Sequence, residues 1–218
     1  MQKMRSYKLP DTVLSIKGNA SGFLNGITSN TLDAPLNAFL NQHGRIIATF
    51  RQQMISVDEF LISVPSYTKE ALLKHLERFI KLSHVSVSQG IPSSFIDLDN
   101  ARTVWASDDH ANSITDEAFT LFRLDHHIPL MGVDYQAEEF ILNVHEFDYV
   151  SYTKGCFLGQ EPVAKVHNRS KPSRKLEVVF EDQLPAEDAA KMTSKAADPA
   201  SGRVRGFKFI SSSLPPNK

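Results

Sequence analysis

The sequence has little cysteine and no marked excess of charge. Its one cysteine, Cys156, excludes an intramolecular disulfide and any zinc or iron–sulfur cage built from several cysteines of one chain. The 24 Lys and Arg residues nearly balance the 25 Asp and Glu residues, and the net charge of −1 gives no overall attraction to nucleic acid or anionic membranes. A contact of that kind would therefore need a local basic patch.

Long apolar runs and targeting signals are also missing. Nowhere do about 18 apolar residues follow one another, which is the length that a membrane-spanning helix needs. Basic residues occur in segment 1–16, but Pro10 and Asp11 interrupt it and no apolar region with a cleavage site follows. We expect a cytoplasmic protein with no membrane partner, and the matrix of an organelle stays open as an alternative.

Familiar nucleotide, hydrolase and metal motifs are absent as well. The chain has no GxGxxG, P-loop, GxSxG or HExxH pattern, which argues against a nicotinamide or nucleotide enzyme and against a serine hydrolase. The histidines of Asp125-His126-His127 are adjacent, and adjacent side chains of a strand point to opposite sides. We predict no metal site.

The sequence does contain a regular succession of apolar segments. The pattern predicts strands at 12–16, 36–40, 45–55, 60–64, 85–87, 94–96, 102–106, 118–123, 175–180 and 203–210. It also predicts a helix with Ser21 as its N-cap, an amphipathic helix over 67–81 and a short helix over 136–143. The order of the first elements predicts an α+β fold with a mainly antiparallel sheet.

The most unusual stretch is KGCFLGQE, residues 154–161. If a helix begins near Phe157, its first amides and the Lys154 ammonium favour the Cys156 thiolate and lower the pKa of this thiol. The alternative is a small buried thiol at a turn, a common environment for free cysteine. The residues alone leave both interpretations open.

The neighbours of the cysteine offer groups that could hold a ligand. Gly155 lets a ligand or strand approach the backbone closely. Gln160 provides amide donors and an acceptor, and Glu161 provides a carboxylate, which together suit a heterocycle with an amide-like edge.

A basic run follows this stretch. It consists of Lys165, His167, Arg169, Lys171, Arg174 and Lys175. Such a run can contact RNA phosphates or the polyglutamate tail of a folate. The alternative is a solvated basic face without a ligand.

Residues 154–161 resemble the K-G-C-[YF]-x-G-Q-E motif of the YgfZ family, the bacterial folate-binding proteins related to the T-protein of the glycine cleavage system. Segments 23–30 (FLNGITSN) and 43–46 (HGRI) resemble the FLQGLTTN element and the GRI hairpin of that family. A further run with local spacing differences resembles its R-x-x-x-G-x-P-x-x-G-x-D … E pattern, through Phe122-Arg123, Pro129, Gly132-Val133-Asp134 and Glu146.

This resemblance implies a T-protein-like α+β fold with ferredoxin-like antiparallel sheet regions and a small, truncated C-terminal β-barrel. On that basis residues 1–95 form an N-terminal ferredoxin-like region, 96–173 a second α+β region with the cysteine motif, and 174–218 a shortened β domain. The chain is short for the family.

The resemblance also implies tetrahydrofolate as the cofactor and a role in assembling or repairing iron–sulfur cluster enzymes, including tRNA-modifying ones. The partners would be iron–sulfur cluster proteins or their assembly factors. Cys156 would be the functional thiol, with Lys154 beside it. The folate-binding residues carried over are Asn30, Asp134, Glu146, Gly155, Gln160, Glu161 and Arg169.

One departure concerns the reaction. T-proteins that transfer aminomethyl groups carry an aspartate pair where this chain has Ala48-Thr49. Neither side chain can handle an amine proton as a carboxylate does, so we expect no classical aminomethyltransferase. Two alternatives stay open: a folate-dependent aminomethyltransferase with its acid or base elsewhere, and an RNA- or protein-binding adaptor that uses segment 165–175, with tRNA as its partner.

Overall fold

A computed structural model describes residues 5–90, 92–106, 113–144 and 146–212, without the side chains of residues 146–147. Its strands are β1 (Ser6–Lys8), β2 (Asp11–Gly18), β3 (Leu36–Leu40), β4 (Ile46–Ser56), β5 (Glu59–Pro65), β6 (Val85–Gln89), β7 (Ser93–Asp97), β8 (Arg102–Ala106), β9 (Arg174–Phe180), β10 (Thr193–Ala197) and β11 (Val204–Ser211). Its α-helices are α1 (Ala20–Ile27), α2 (Lys69–Ser83), α3 (Asp116–Asp125), α4 (Ile141–Val144), α5 (Glu146–Tyr149), α6 (Gln160–Lys165) and α7 (Ala186–Ala189).

A five-stranded antiparallel sheet with the order β3-β4-β5-β2-β6 separates two hydrophobic cores. Helices α1 and α2 cover one face and bury Phe23, Leu72 and Phe50 there. Segments between residues 124 and 209 cover the other face and bury Ile46 among them. Side chains alternate along β4 from Ala48 onward, so Ala48 and Phe50 face the helices while Thr49 and Arg51 face the opposite side.

Two smaller antiparallel sheets complete the described chain. One has the order β1-β7-β8, and the C-terminal sheet has the order β10-β11-β9. No closed barrel occurs among the described residues, so the truncated C-terminal barrel stays a prediction. Strand β7 spans the predicted boundary at 95/96 and pairs with β1, while the division into three regions is still a prediction. Within the described ranges, no helix is long and apolar enough to cross a membrane.

The strands and the amphipathic helix predicted for the first 90 residues are confirmed. The N-cap prediction is wrong, because α1 begins after Asn19 and the Ser21 hydroxyl inside the helix donates to the Val57 carbonyl. The helix predicted over 136–143 is reduced to α4. The preceding chain is held instead by an isolated bridge between Arg45 and Phe140.

The strand predicted over 118–123 is wrong, because this segment forms α3. The Thr115 side chain caps the helix by accepting a hydrogen bond from the Ala118 amide, and Phe119 and Phe122 lie buried three residues apart on one face. Aromatic residues favour strands only weakly, and here the cap and the helical spacing prevail.

Candidate functional site

Lys154 fastens the cysteine loop to the end of the first helix. Its ammonium donates to the backbone carbonyls of Thr28, at 2.6 Å, and of Asn30, at 2.9 Å, and lies 5.4 Å from the centre of the Phe157 ring. Burial lowers the pKa of Lys154 to about 8. Its donors therefore serve a contact between loops rather than an open site.

Asn30 and Ser29 extend this contact. The Asn30 side chain donates to the carbonyls of Leu36 and Asp148 and accepts from the amide of Thr31. The Ser29 hydroxyl donates to the Tyr149 carbonyl at 2.6 Å. The polar groups of both side chains are thus engaged by the protein itself.

Gly159 explains the second half of the motif. Its φ is +84°, and a Cβ placed there would lie 2.4 Å from the Asn41 carbonyl oxygen. Across the contact, Gly44 has a φ of +72° and leaves room for Phe140 and Val163. The hairpin turn between β3 and β4 therefore packs directly on the start of α6. We call segments 28–30, 41–44 and 148–160 the motif junction.

Cys156 lies on the surface of the motif junction. Its side chain is exposed, so the buried-thiol interpretation is wrong. The helix predicted to begin near Phe157 begins at Gln160, after Gly159. Within the described ranges no hydrogen bond or ion pair joins Cys156 to Lys154. Gly155 beside it is also exposed, with open space around its Cα.

The other motif residues are partly dispersed. Gln160 lines a shallow cavity of about 230 Å³, together with Phe157 and with Tyr152 and His167, whose rings stack 3.8 Å apart. Glu161 and Arg169 point into solvent.

Asp134 forms part of a buried polar network. Its carboxylate accepts from the Arg123 guanidinium at 2.6 Å, from the Leu130 amide, and from the hydroxyls of Thr193 and Ser194. It thereby fixes the loop after α3 against β10.

Glu146 was predicted to bind folate, but its side chain lies outside the described part of the structure. The folate-binding roles of Asn30, Asp134, Gly155, Gln160 and the remaining motif residues stay predictions.

A separate cavity of about 310 Å³ opens on the sheet face opposite α1 and α2. We call it the tyrosine cavity. Its buried lining includes Thr49, Arg51, Met131, Tyr135 and Tyr149, and its more exposed lining includes Asp11, Ser66, Tyr67 and Val133. Thr49, one of the two residues that replace the aspartate pair, therefore lines this cavity, whereas Ala48 is buried in the helix-side core.

Burial determines the protonation of the cavity lining. The hydroxyls of Thr49 and Tyr135 lie 2.7 Å apart, and burial raises the pKa of Tyr135 and of Tyr149, which keeps both phenols neutral. Burial also raises the pKa of Asp11, while the Arg51 charge and the Ser63 hydroxyl oppose this rise.

The charged groups of the tyrosine cavity were not among the predicted site residues. A signal was present: Arg51 follows Thr49 at the spacing of one strand face, within the buried first part of β4. The tyrosines come from distant segments, and no local pattern joins them. Tyr149 connects the two sites, because its carbonyl belongs to the motif junction and its ring lines the cavity.

A broad groove of about 1200 Å³ lies beside the hairpin turn. His43, Arg45, Lys171 and Arg174 line it, and Arg174 is paired with Glu139 at 2.6 Å. We call it the basic groove.

Comparison with solved structures shows the fold family. The fold is similar to that of the glycine cleavage system aminomethyltransferase T from Bartonella henselae, with a TM-score of 0.70 over 94% of this chain and 78% of that chain. The two sequences are 12% identical, and no protein-family model matches this chain. The chain has a T-protein-like fold.

Proposed function

We propose that the tyrosine cavity binds tetrahydrofolate and that the protein supports the assembly or repair of iron–sulfur cluster enzymes in the cytoplasm through Cys156. The observation that carries the proposal is the separation of the two sites. An aromatic cavity lies in the interior of a T-protein-like fold, and an exposed thiol lies on the motif junction. A partner protein can therefore reach the thiol without entering the cavity.

The residues of the tyrosine cavity fit a folate. The rings of Tyr67, Tyr135 and Tyr149 provide aromatic surface for a flat heterocycle, and Arg51 and Asp11 provide a donor and an acceptor for its polar edge. The cavity is at the lower end of the usual size range for ligand pockets. It suits the heterocycle, with the rest of a folate extending past the exposed Tyr67.

Titration of the protein with tetrahydrofolate by calorimetry tests the binding half of the proposal. We expect heat of binding and a rise in melting temperature, because a ligand that binds only the folded state stabilises it. Absence of both at millimolar ligand would end the folate proposal.

The cavity lining argues against aminomethyl transfer. Thr49 offers a hydroxyl that is already engaged with Tyr135, and Ala48 faces the other core. We expect no methylene-tetrahydrofolate from an aminomethylated lipoyl carrier. Its formation would support the transferase alternative, with an acid or base at another position.

Complementation of cells that lack the protein tests the role of Cys156. A Cys156→Ser variant keeps the size and exposure of the side chain but loses the thiolate, so we expect normal protein levels and no rescue of a cluster-dependent enzyme. Full rescue would remove the thiol from the mechanism.

The basic groove supports a second candidate, an RNA-binding adaptor with tRNA as partner. Four basic side chains meet there despite the net charge of −1. Binding through phosphates weakens steeply with salt, and Arg45→Ala with Lys171→Ala, two exposed cations of the groove, should flatten that dependence. The matched control is Lys74→Ala with Arg78→Ala on the exposed side of α2. Equal loss in both pairs, or no tRNA binding, would end this candidate.

A further inference from the structure

Arg51 is a largely buried cation that lines the tyrosine cavity. Its side chain is 9% exposed, and among the described residues no hydrogen bond or ion pair reaches its guanidinium. Its charge acts on Asp11, Tyr135 and Tyr149, all of which line the tyrosine cavity. Burying a charge is costly unless it is paired, so a buried arginine that faces a cavity points to a ligand.

Strand register places Arg51 and Asp11 on the same face of the sheet, on the two strands that flank β5. Arg51 of β4 is opposite Ser63 of β5, and the Ser63 hydroxyl donates to the Asp11 carboxylate at 2.7 Å. Within the described ranges, Asp11 and Arg51 form no ion pair at 4 Å or less. The two side chains therefore lie on either side of Ser63 on the same sheet face, both line the tyrosine cavity, and their charged groups are more than 4 Å apart.

The chemistry of these two groups defines what can occupy that space. A guanidinium has five N–H donors and no acceptor, whereas a carboxylate accepts. The nearby hydroxyls of Thr49 and Tyr135 already bond each other. The complementary ligand edge carries an acceptor facing Arg51 and donors facing Asp11.

We propose that Arg51 and Asp11 together determine the ligand specificity of the tyrosine cavity. Arg51 binds the 4-oxo group of a pterin ring, and Asp11 accepts from the adjacent ring N–H and 2-amino group. This inference rests on the proposed folate binding and adds the residues and the ring edge that are recognised.

Exchanging the oxo group for an amino group tests this assignment in the unaltered protein. The change replaces the acceptor that faces the Arg51 guanidinium by a donor, and it also removes the ring N–H that faces Asp11, so both proposed contacts are lost. Hydrogen bonds to charged groups are strong enough that tetrahydrofolate should bind about 10- to 100-fold more tightly than 4-amino-4-deoxytetrahydrofolate. Equal binding of the two compounds, or tighter binding of the amino analogue, would overturn the assignment.

Substitution of Arg51 gives the second arm. Arg51→Met should lower tetrahydrofolate affinity by about 10- to 100-fold and reduce the preference for the oxo compound to the part that Asp11 contributes, whereas Arg51→Lys keeps the charge and more of the preference. The matched control is Arg78→Met, the same change at an exposed arginine of α2 outside the cavity, which should leave both affinities unchanged.

The outcomes separate this inference from the folate proposal. If the unaltered protein binds neither compound, folate binding itself fails and the ring assignment fails with it. If it binds tetrahydrofolate and Arg51→Met retains both affinity and preference, only the role of Arg51 is overturned. Melting curves confirm that each variant is folded, and the ligand exchange in the unaltered protein decides the question if Arg51→Met does not fold.

Discussion

The motif junction and the tyrosine cavity differ in how their polar groups are used. At the junction, the Lys154 ammonium and the Asn30 amide are bonded to backbone carbonyls of neighbouring loops. In the cavity, Arg51 is 9% exposed and its guanidinium makes no hydrogen bond or ion pair with the described residues. The motif residues at the junction thus bond to neighbouring loops, whereas the cavity presents a cation that the described residues leave unbonded.

Cys156 is the exception within the junction. Every motif contact described above fixes the backbone around it, while the thiol itself remains exposed. The motif junction thus exposes one reactive group on its surface, whereas the tyrosine cavity encloses its polar groups. The two regions should therefore respond differently to substitution, and four changes test this, from the largest expected effect to the smallest.

Asp134→Ala tests how much the hydrogen bonds of the buried Asp134 carboxylate stabilise the loop that lines the tyrosine cavity. The change leaves the Arg123 guanidinium buried without its carboxylate, which costs about 3–5 kcal/mol of unfolding free energy. Urea unfolding measures the loss. A loss below about 1 kcal/mol would show that the pair does not hold the cavity loop.

Gly159→Ala tests the packing at the junction. The added Cβ would lie 2.4 Å from the Asn41 carbonyl oxygen at a left-handed φ, and overpacking plus this conformation cost about 3 kcal/mol. Gly155→Ala is the matched control, because open space surrounds it, and its effect should stay within about 0.5 kcal/mol. Similar unfolding midpoints for the two variants would contradict the junction as described.

Lys154→Met removes the charged donor to two carbonyls and should cost about 2 kcal/mol near neutral pH. The pKa of Lys154 is about 8 in the folded protein, against 10.5 for the free side chain, so the unfolded chain binds more protons between these values. The stability of the unaltered protein relative to Lys154→Met should therefore rise from pH 8 to pH 10.5. Denaturant titrations across this range measure it, and a falling difference would contradict the burial of the ammonium.

Cys156→Ser should change the unfolding free energy by less than about 0.5 kcal/mol, because the side chain is exposed and makes no contact that the fold needs. A thermal melt beside the unaltered protein measures it. A loss of unfolding free energy above about 1 kcal/mol would show that the Cys156 side chain stabilises the fold.

Much of the fold could be predicted because its signals are local. Alternation in β5 and the apolar spacing of α2 correctly indicated a strand and a helix. The strand prediction for segment 118–123 was wrong because its aromatic residues fit both strand propensity and helical spacing. The N-cap at Thr115 is the local signal that favours the helix. The N-cap prediction at Ser21 was wrong because the helix begins at Ala20, with Asn19 at the N-cap position, which leaves Ser21 inside the helix.

The candidate site was harder to predict. The cysteine motif is contiguous and could be recognised, but its contacts with Thr28 and Asn41 join segments more than a hundred residues apart. The tyrosine cavity is built from side chains of several strands and loops. Only the position of Arg51, two residues after Thr49 on one strand face, was available in the sequence as a clue.

The most direct test of the account compares the tetrahydrofolate dissociation constants of the unaltered protein and Cys156→Ser by calorimetry. If tetrahydrofolate binds in the tyrosine cavity, and Cys156 does not line that cavity, the two proteins should have the same dissociation constant within about twofold. The reason is that an exposed residue away from a site contributes little to binding there. A loss of tenfold or more in Cys156→Ser would place the ligand against the thiol and contradict the separation of the two sites.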